Sequence, residues 1–89
     1  MSLDQEHRRL INHLYKLIPM RENNENYILQ LETVINEIVC LNEIFSSSND
    51  YLILLAKLEG LLHSESNFDF YRKTVFECIS LIKELQNES

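Results

Sequence analysis

Apolar positions recur with helical spacing in four separate stretches of the chain. Leu10, Ile11, Leu14, Leu17 and Ile18 fall at i, i+1, i+4, i+7 and i+8, a set that shares one side of a 3.6-residue helix. Ser2 followed by Gln5 has capping-box spacing ahead of this stripe. Pro19, which has no amide N–H to donate, is expected to end it, so the first helix is predicted over 3–18. A polar linker over 20–24 follows. Tyr27, Ile28, Leu31, Val34, Ile35, Ile38, Leu41 and Phe45 then mark a longer stripe, with Glu25, Glu32, Glu37 and Glu43 largely off it, and predict a second helix over 25–45. Ser46, Ser47, Ser48, Asn49 and Asp50 supply a turn and a choice of N-cap. The run YLILLAKLEGLL behind them predicts a third helix over 51–63. Ser66 with Asp69 repeats the capping spacing, and Tyr71, Val75, Cys78, Ile79, Ile82 and Leu85 form the stripe of a fourth helix over 68–86.

Connections this short make successive helices antiparallel neighbours. The predicted architecture is therefore all-α, an antiparallel up-down-up-down four-helix bundle with 1–89 as a single domain. Within it the third helix stands out. Leu52, Ile53, Leu54, Leu55, Leu58, Leu61 and Leu62 run almost all the way round it, so it is expected to be covered on more than one face, with Leu55 and Leu58 in the core. Any part left uncovered is a groove for a partner or for a second copy, and both a monomer and a weak homodimer are compatible with it.

Composition agrees with helices, since a single Gly and a single Pro leave few turn-formers for a β-rich fold. An excess of 14 acids over 8 bases argues against a nucleic-acid partner, which calls for clustered Lys and Arg to neutralise phosphates. The apolar run 51–62 contains Lys57 and Glu59 and is too short for a transmembrane segment, which takes about 20 consecutive apolar residues. Residues 22–56 hold six acids (Glu22, Glu25, Glu32, Glu37, Glu43 and Asp50) and no base, so an anionic membrane surface repels that stretch.

No pattern for catalysis, cofactor or metal accompanies these helices, and the expectation is a non-enzyme. His7, His13 and His63 lack zinc spacing and are expected at the surface or at helix caps. Cys40 and Cys78 show neither CxxC spacing nor a secretory signal. They are expected to be buried, reduced and unreactive, which points to a reducing compartment. Glu22 and Glu25 read as charges favoured at the positive end of a helix dipole.

Taken together, HRRLINHLYKLI, the acidic second helix ending near SSSND, YLILLAKLEGLL and FYRKTVFECISLIKEL resemble the immunity proteins of class II (pediocin-like) bacteriocins, in particular the enterocin A immunity family. The similarity runs from about 7 to 86 and is one of pattern and length. It implies a small cytoplasmic four-helix bundle of Gram-positive bacteria that confers antimicrobial resistance without catalysis. The implied partner is a membrane-embedded sugar phosphotransferase permease with bound bacteriocin, met from the inner face of the membrane. Discrimination among bacteriocins is implied for the C-terminal half. The chain departs from relatives that carry a longer C-terminal tail, which shifts attention to the hairpin of the third and fourth helices. Phe68, Phe70, Arg72, Lys73 and Phe76 are the candidate partner-binding residues there, because aromatic and Arg side chains anchor interfaces and Arg72 with Lys73 is the adjacent basic pair outside the first helix. The same residues also fit a solvated helix face with Phe68 as a hydrophobic staple, as Arg8 and Arg9 do in the first helix. The alternative function is a small intracellular helical adaptor or dimerising interaction module.

Overall fold

The computed structural model describes residues 3–45, 49–63 and 67–88. They form α1 (Leu3–Glu22), α2 (Tyr27–Ile44), α3 (Asp50–His63) and α4 (Phe68–Glu88), with no strand among the described residues. Each helix packs on two others in the ring α1–α2–α3–α4–α1, the antiparallel four-helix bundle. Its extents of 35 × 20 × 20 Å are one helix long and two helices wide. The diagonal pairs α1/α3 and α2/α4 have no Cα atoms within 8 Å of each other among the described residues, so they meet through side chains alone.

The inward arcs are the predicted stripes. Leu10, Leu14 and Leu17 of α1, Leu31, Val34 and Ile38 of α2, Leu54 and Leu58 of α3, and Val75, Cys78 and Ile82 of α4 are all fully buried. The third helix departs from expectation. Leu55 is half-buried at the core edge, while Leu52 and Ile53 are 52% and 44% exposed. The reason is geometric: a helix in a square bundle touches two neighbours, and at 100° per residue positions 52 and 53 fall outside the arc they cover. Cys40 is a second correction. It is exposed, lying 200° around α2 from Ile38, whereas Cys78 is buried as expected.

Helix ends differ from the predicted ones for local reasons. α1 runs through Pro19 to Glu22. The amide hydrogen bond that Pro19 forgoes is to the carbonyl of Tyr15, on a solvent-exposed side where losing one backbone bond costs least. The stop comes from a Schellman motif: the Asn24 N–H donates to the Arg21 carbonyl (3.1 Å) and the Glu25 N–H to the Met20 carbonyl (2.8 Å). Asn24 takes the left-handed conformation, φ 58°, that this motif requires. α2 is capped by Asn26, whose Oδ1 accepts the Leu29 N–H at 3.3 Å, and α4 by Asn67, whose Oδ1 accepts the Phe70 N–H at 2.8 Å. The capping roles expected of Ser2, Ser46, Ser47, Ser48 and Ser66 lie outside the described residues.

Candidate functional site: the groove between α3 and α4

α4 turns its apolar arc inward and leaves Asp69, Phe70, Arg72, Lys73, Phe76, Glu77, Ser80, Lys83 and Glu84 exposed. Beside the outer edge of α3 this face forms an open groove of about 790 Å³, lined by the apolar Ile53, Phe76 and Leu81, the basic Lys57, Arg72 and Lys73, the acidic Asp69, Glu77 and Glu84, and Ser80. Across it the Lys57 Nζ donates to Glu77 Oε2 at 3.3 Å. Arg72 and Lys73 are exposed at its α4 wall, and neither forms an ion pair among the described residues. Phe76 is 42% exposed and leans edge-on against Tyr15 of α1, ring centres 6.1 Å apart. The groove thus sets two cations that form no such ion pair beside three carboxylates, an exposed aromatic and an exposed aliphatic side chain, with no net excess of positive charge.

The five residues singled out from the sequence do not share one place. Arg72, Lys73 and Phe76 line this groove. Phe70, 55% exposed, lies about a third of a turn away from Phe76 around α4, in a shallow depression of about 330 Å³ with Ala56, Gly60 and Thr74. Phe68 is half-buried and stacks on Tyr71, ring centres 6.4 Å apart. It belongs to an aromatic cluster that closes the end of the bundle where α1 finishes. There the Arg21 guanidinium sits 4.6 Å from the Tyr71 ring centre and 5.7 Å from that of Tyr27, and Tyr27 meets Tyr71 edge-on at 5.5 Å. The Tyr71 hydroxyl donates to the Leu17 carbonyl at 3.1 Å. Burial holds that hydroxyl far above the ordinary tyrosine pKa, an effect that Arg21 partly offsets and Tyr27 reinforces.

The opposite end of the bundle carries polar groups that sequence reasoning missed. His7 is 2% exposed, not at the surface, and its Nε2 lies 2.8 Å from the Tyr51 hydroxyl. Its position three and four residues before Leu10 and Ile11 is the signal that could have placed it inward. His13 is half-buried, with Nδ1 2.7 Å from Glu37 Oε1, while His63 is exposed at the end of α3. Arg9 bridges Glu6 and Glu37 (Nε to Oε2 of Glu37, 3.7 Å) beside a smaller groove of about 430 Å³ lined by Cys40, Leu41, Ile44 and Phe45. Its cation is therefore committed within the chain. Among the described residues no group of His, Cys, Asp and Glu is placed to hold a metal ion, and no helix is long and apolar enough to cross a membrane.

Compared with family models, with curated proteins and with solved structures, the chain matches none of them.

Proposed function

We propose that this chain is a non-catalytic immunity protein that protects a bacteriocin-producing cell. It would do so by binding, from the cytoplasmic side, a membrane-embedded sugar phosphotransferase permease that has captured a class II bacteriocin. The observation that carries the reading is the α3–α4 groove, where Arg72 and Lys73 stand unpaired beside Phe76 and Ile53 on a protein of net charge −6. Two exposed cations that no described carboxylate of the chain pairs are free to meet acidic groups of a partner, and the neighbouring apolar side chains supply contact. The family resemblance supports the same half of the chain.

The test is protection of a sensitive strain. Cells expressing the chain are expected to survive at least one of a panel of class II bacteriocins. The folded Arg72→Glu/Lys73→Glu variant is expected to lose that protection, and Phe76→Ala to weaken it. Full protection by both variants would remove the groove from the function, and no protection by the parent against any of the panel would remove the immunity reading. A dimerising interaction module is the second reading, favoured by Leu52 and Ile53, which stand 52% and 44% exposed on α3. Sedimentation velocity separates the two: a dimer that Leu52→Lys dissociates supports the second.

A further inference from the structure

His7 and Tyr51 are 44 positions apart, on helices that face each other across the bundle diagonal, yet their side chains are in hydrogen-bond contact at 2.8 Å with ring centres 6.0 Å apart. Both side chains are buried, His7 as the fifth residue of α1 and Tyr51 as the second of α3, so the contact ties the beginning of α1 to the beginning of α3. One atom of the pair is left over. His7 Nδ1 is buried and has no hydrogen-bond partner among the described residues. If Nε2 accepts the Tyr51 proton, Nδ1 carries a hydrogen with no acceptor; if Nε2–H donates to the Tyr51 oxygen, the Nδ1 lone pair is bare. Adding a proton improves neither case, because Nδ1–H still lacks an acceptor and the ring then carries a buried charge.

The surroundings offer that charge little. On α1 the Asp4 carboxylate acts on His7, while Glu6 is engaged by Arg9. On α3 the groups are the Tyr51 hydroxyl and Asp50, which acts on Tyr51. α2 and α4 bring Ile38, Leu41 and Ile82 inward at this end, and among the described residues the titratable groups on their buried faces are Cys78 and, at the far end of the bundle, Tyr71. Their outward titratable groups towards this end are Glu37, held by Arg9 and His13, and the exposed Cys40, Glu43, Lys83 and Glu84. Burial accordingly pushes His7 below its ordinary value of 6.5, and Asp4 offsets this only in part. The nearby N-terminus of α1, positive by its dipole, also disfavours a cation.

We propose that His7 and Tyr51 form a pH-sensitive latch, closed at neutral pH and opened by acidification, which frees the first turns of α1 from α3. Opening uncovers Leu10, Leu54 and Tyr51 beside Ile44 and Leu52, which are already 70% and 52% exposed at this end, so acid enlarges an apolar surface there. The latch is independent of what the α3–α4 groove binds. Its sign follows from linkage: the open state takes up the proton more readily, so closure is strongest above pH 6.5 and weakens as pH falls from 6.5 towards the folded-state value. A single proton limits the change to tenfold in the open population per pH unit.

Two measurements on the whole chain decide it. In an NMR titration the His7 imidazole is expected to titrate below 6.5; a midpoint at or above 6.5 overturns the latch whether or not any variant folds. In hydrogen exchange, corrected for intrinsic rate, the amides over 7–11 of α1 are expected to lose about threefold to tenfold in protection between pH 7 and pH 5.5. Those of α2 over 31–38 are expected to hold theirs. His7→Gln is expected to remove this pH dependence, and Tyr51→Phe, which keeps the ring and deletes the hydroxyl, to lower α1 protection already at pH 7. The same pH dependence in His7→Gln, or unchanged protection at pH 7 in Tyr51→Phe, overturns the proposal.

Discussion

Single side chains differ here in burial more than in chemical type, and burial sets their energetic weight. Leu58 is fully buried between α3 and its neighbours, whereas Leu55, three residues earlier on the same helix, is half-buried. Leu58→Ala is expected to cost about 2–5 kcal/mol and Leu55→Ala about 1–2 kcal/mol, measured by urea unfolding; equal losses would mean that the two sites are equally enclosed. The cysteines separate in the same way. Burial pushes the Cys78 thiol up to about 12, with Lys57 opposing and Glu77 adding to the shift, while Cys40 stands exposed on α2. A thiol reagent at pH 7 is expected to modify Cys40 in the folded chain and to reach Cys78 only when denaturant is added. Labelling of both at the same rate would show that α4 opens readily.

At the scale of the element, each helix carries its own start and stop signals, and they are not always the residues that look strongest. Asn26 and Asn67 cap α2 and α4 through Oδ1, and Asn24 ends α1 in a left-handed conformation five residues after Pro19, where the helix was expected to break. Replacing Asn24 by Gly is expected to keep stability or raise it slightly. Asn24→Val, β-branched at positive φ, is expected to cost about 1–2 kcal/mol, as read from thermal unfolding. Gly60 is the opposite case. It lies inside α3 with open space where a Cβ would sit and no positive φ to protect. Gly60→Ala is expected to stabilise the chain by about 0.5–1 kcal/mol; a loss would point to a contact at that surface.

Across the whole molecule, four helices share one core, and their ends are tied by two diagonal contacts, His7 with Tyr51 at one end and Tyr27 with Tyr71 at the other. Each helix also carries one tyrosine, Tyr15, Tyr27, Tyr51 and Tyr71 in order. Tyrosine fluorescence and far-ultraviolet circular dichroism are therefore expected to report one coincident unfolding transition at pH 7. Separated transitions would show that a helix pair unfolds by itself. Charge is distributed on the same scale: α2 carries Glu32, Glu37 and Glu43 and no base, while on α4 Arg72, Lys73 and Lys83 stand among Asp69, Glu77, Glu84 and Glu88. The α4 wall of the groove lies diagonally opposite the acidic α2.

The number of helices, their antiparallel order and most of the inward-facing residues were legible from the chain, because both the helical period and the shortness of the connections are local properties. Arg72, Lys73 and Phe76 were likewise legible as a cationic and aromatic stretch of one helix. The flanks of each stripe were not legible. How much of a helix's circumference is covered depends on how many other helices approach it and how closely. That decided the exposure of Leu52, Ile53 and Cys40, and which of Phe68, Phe70 and Phe76 pack against the bundle. Contacts across the diagonal were still less accessible, because nothing local couples His7 to Tyr51 or Tyr27 to Tyr71; only the closed ring of helices brings them together.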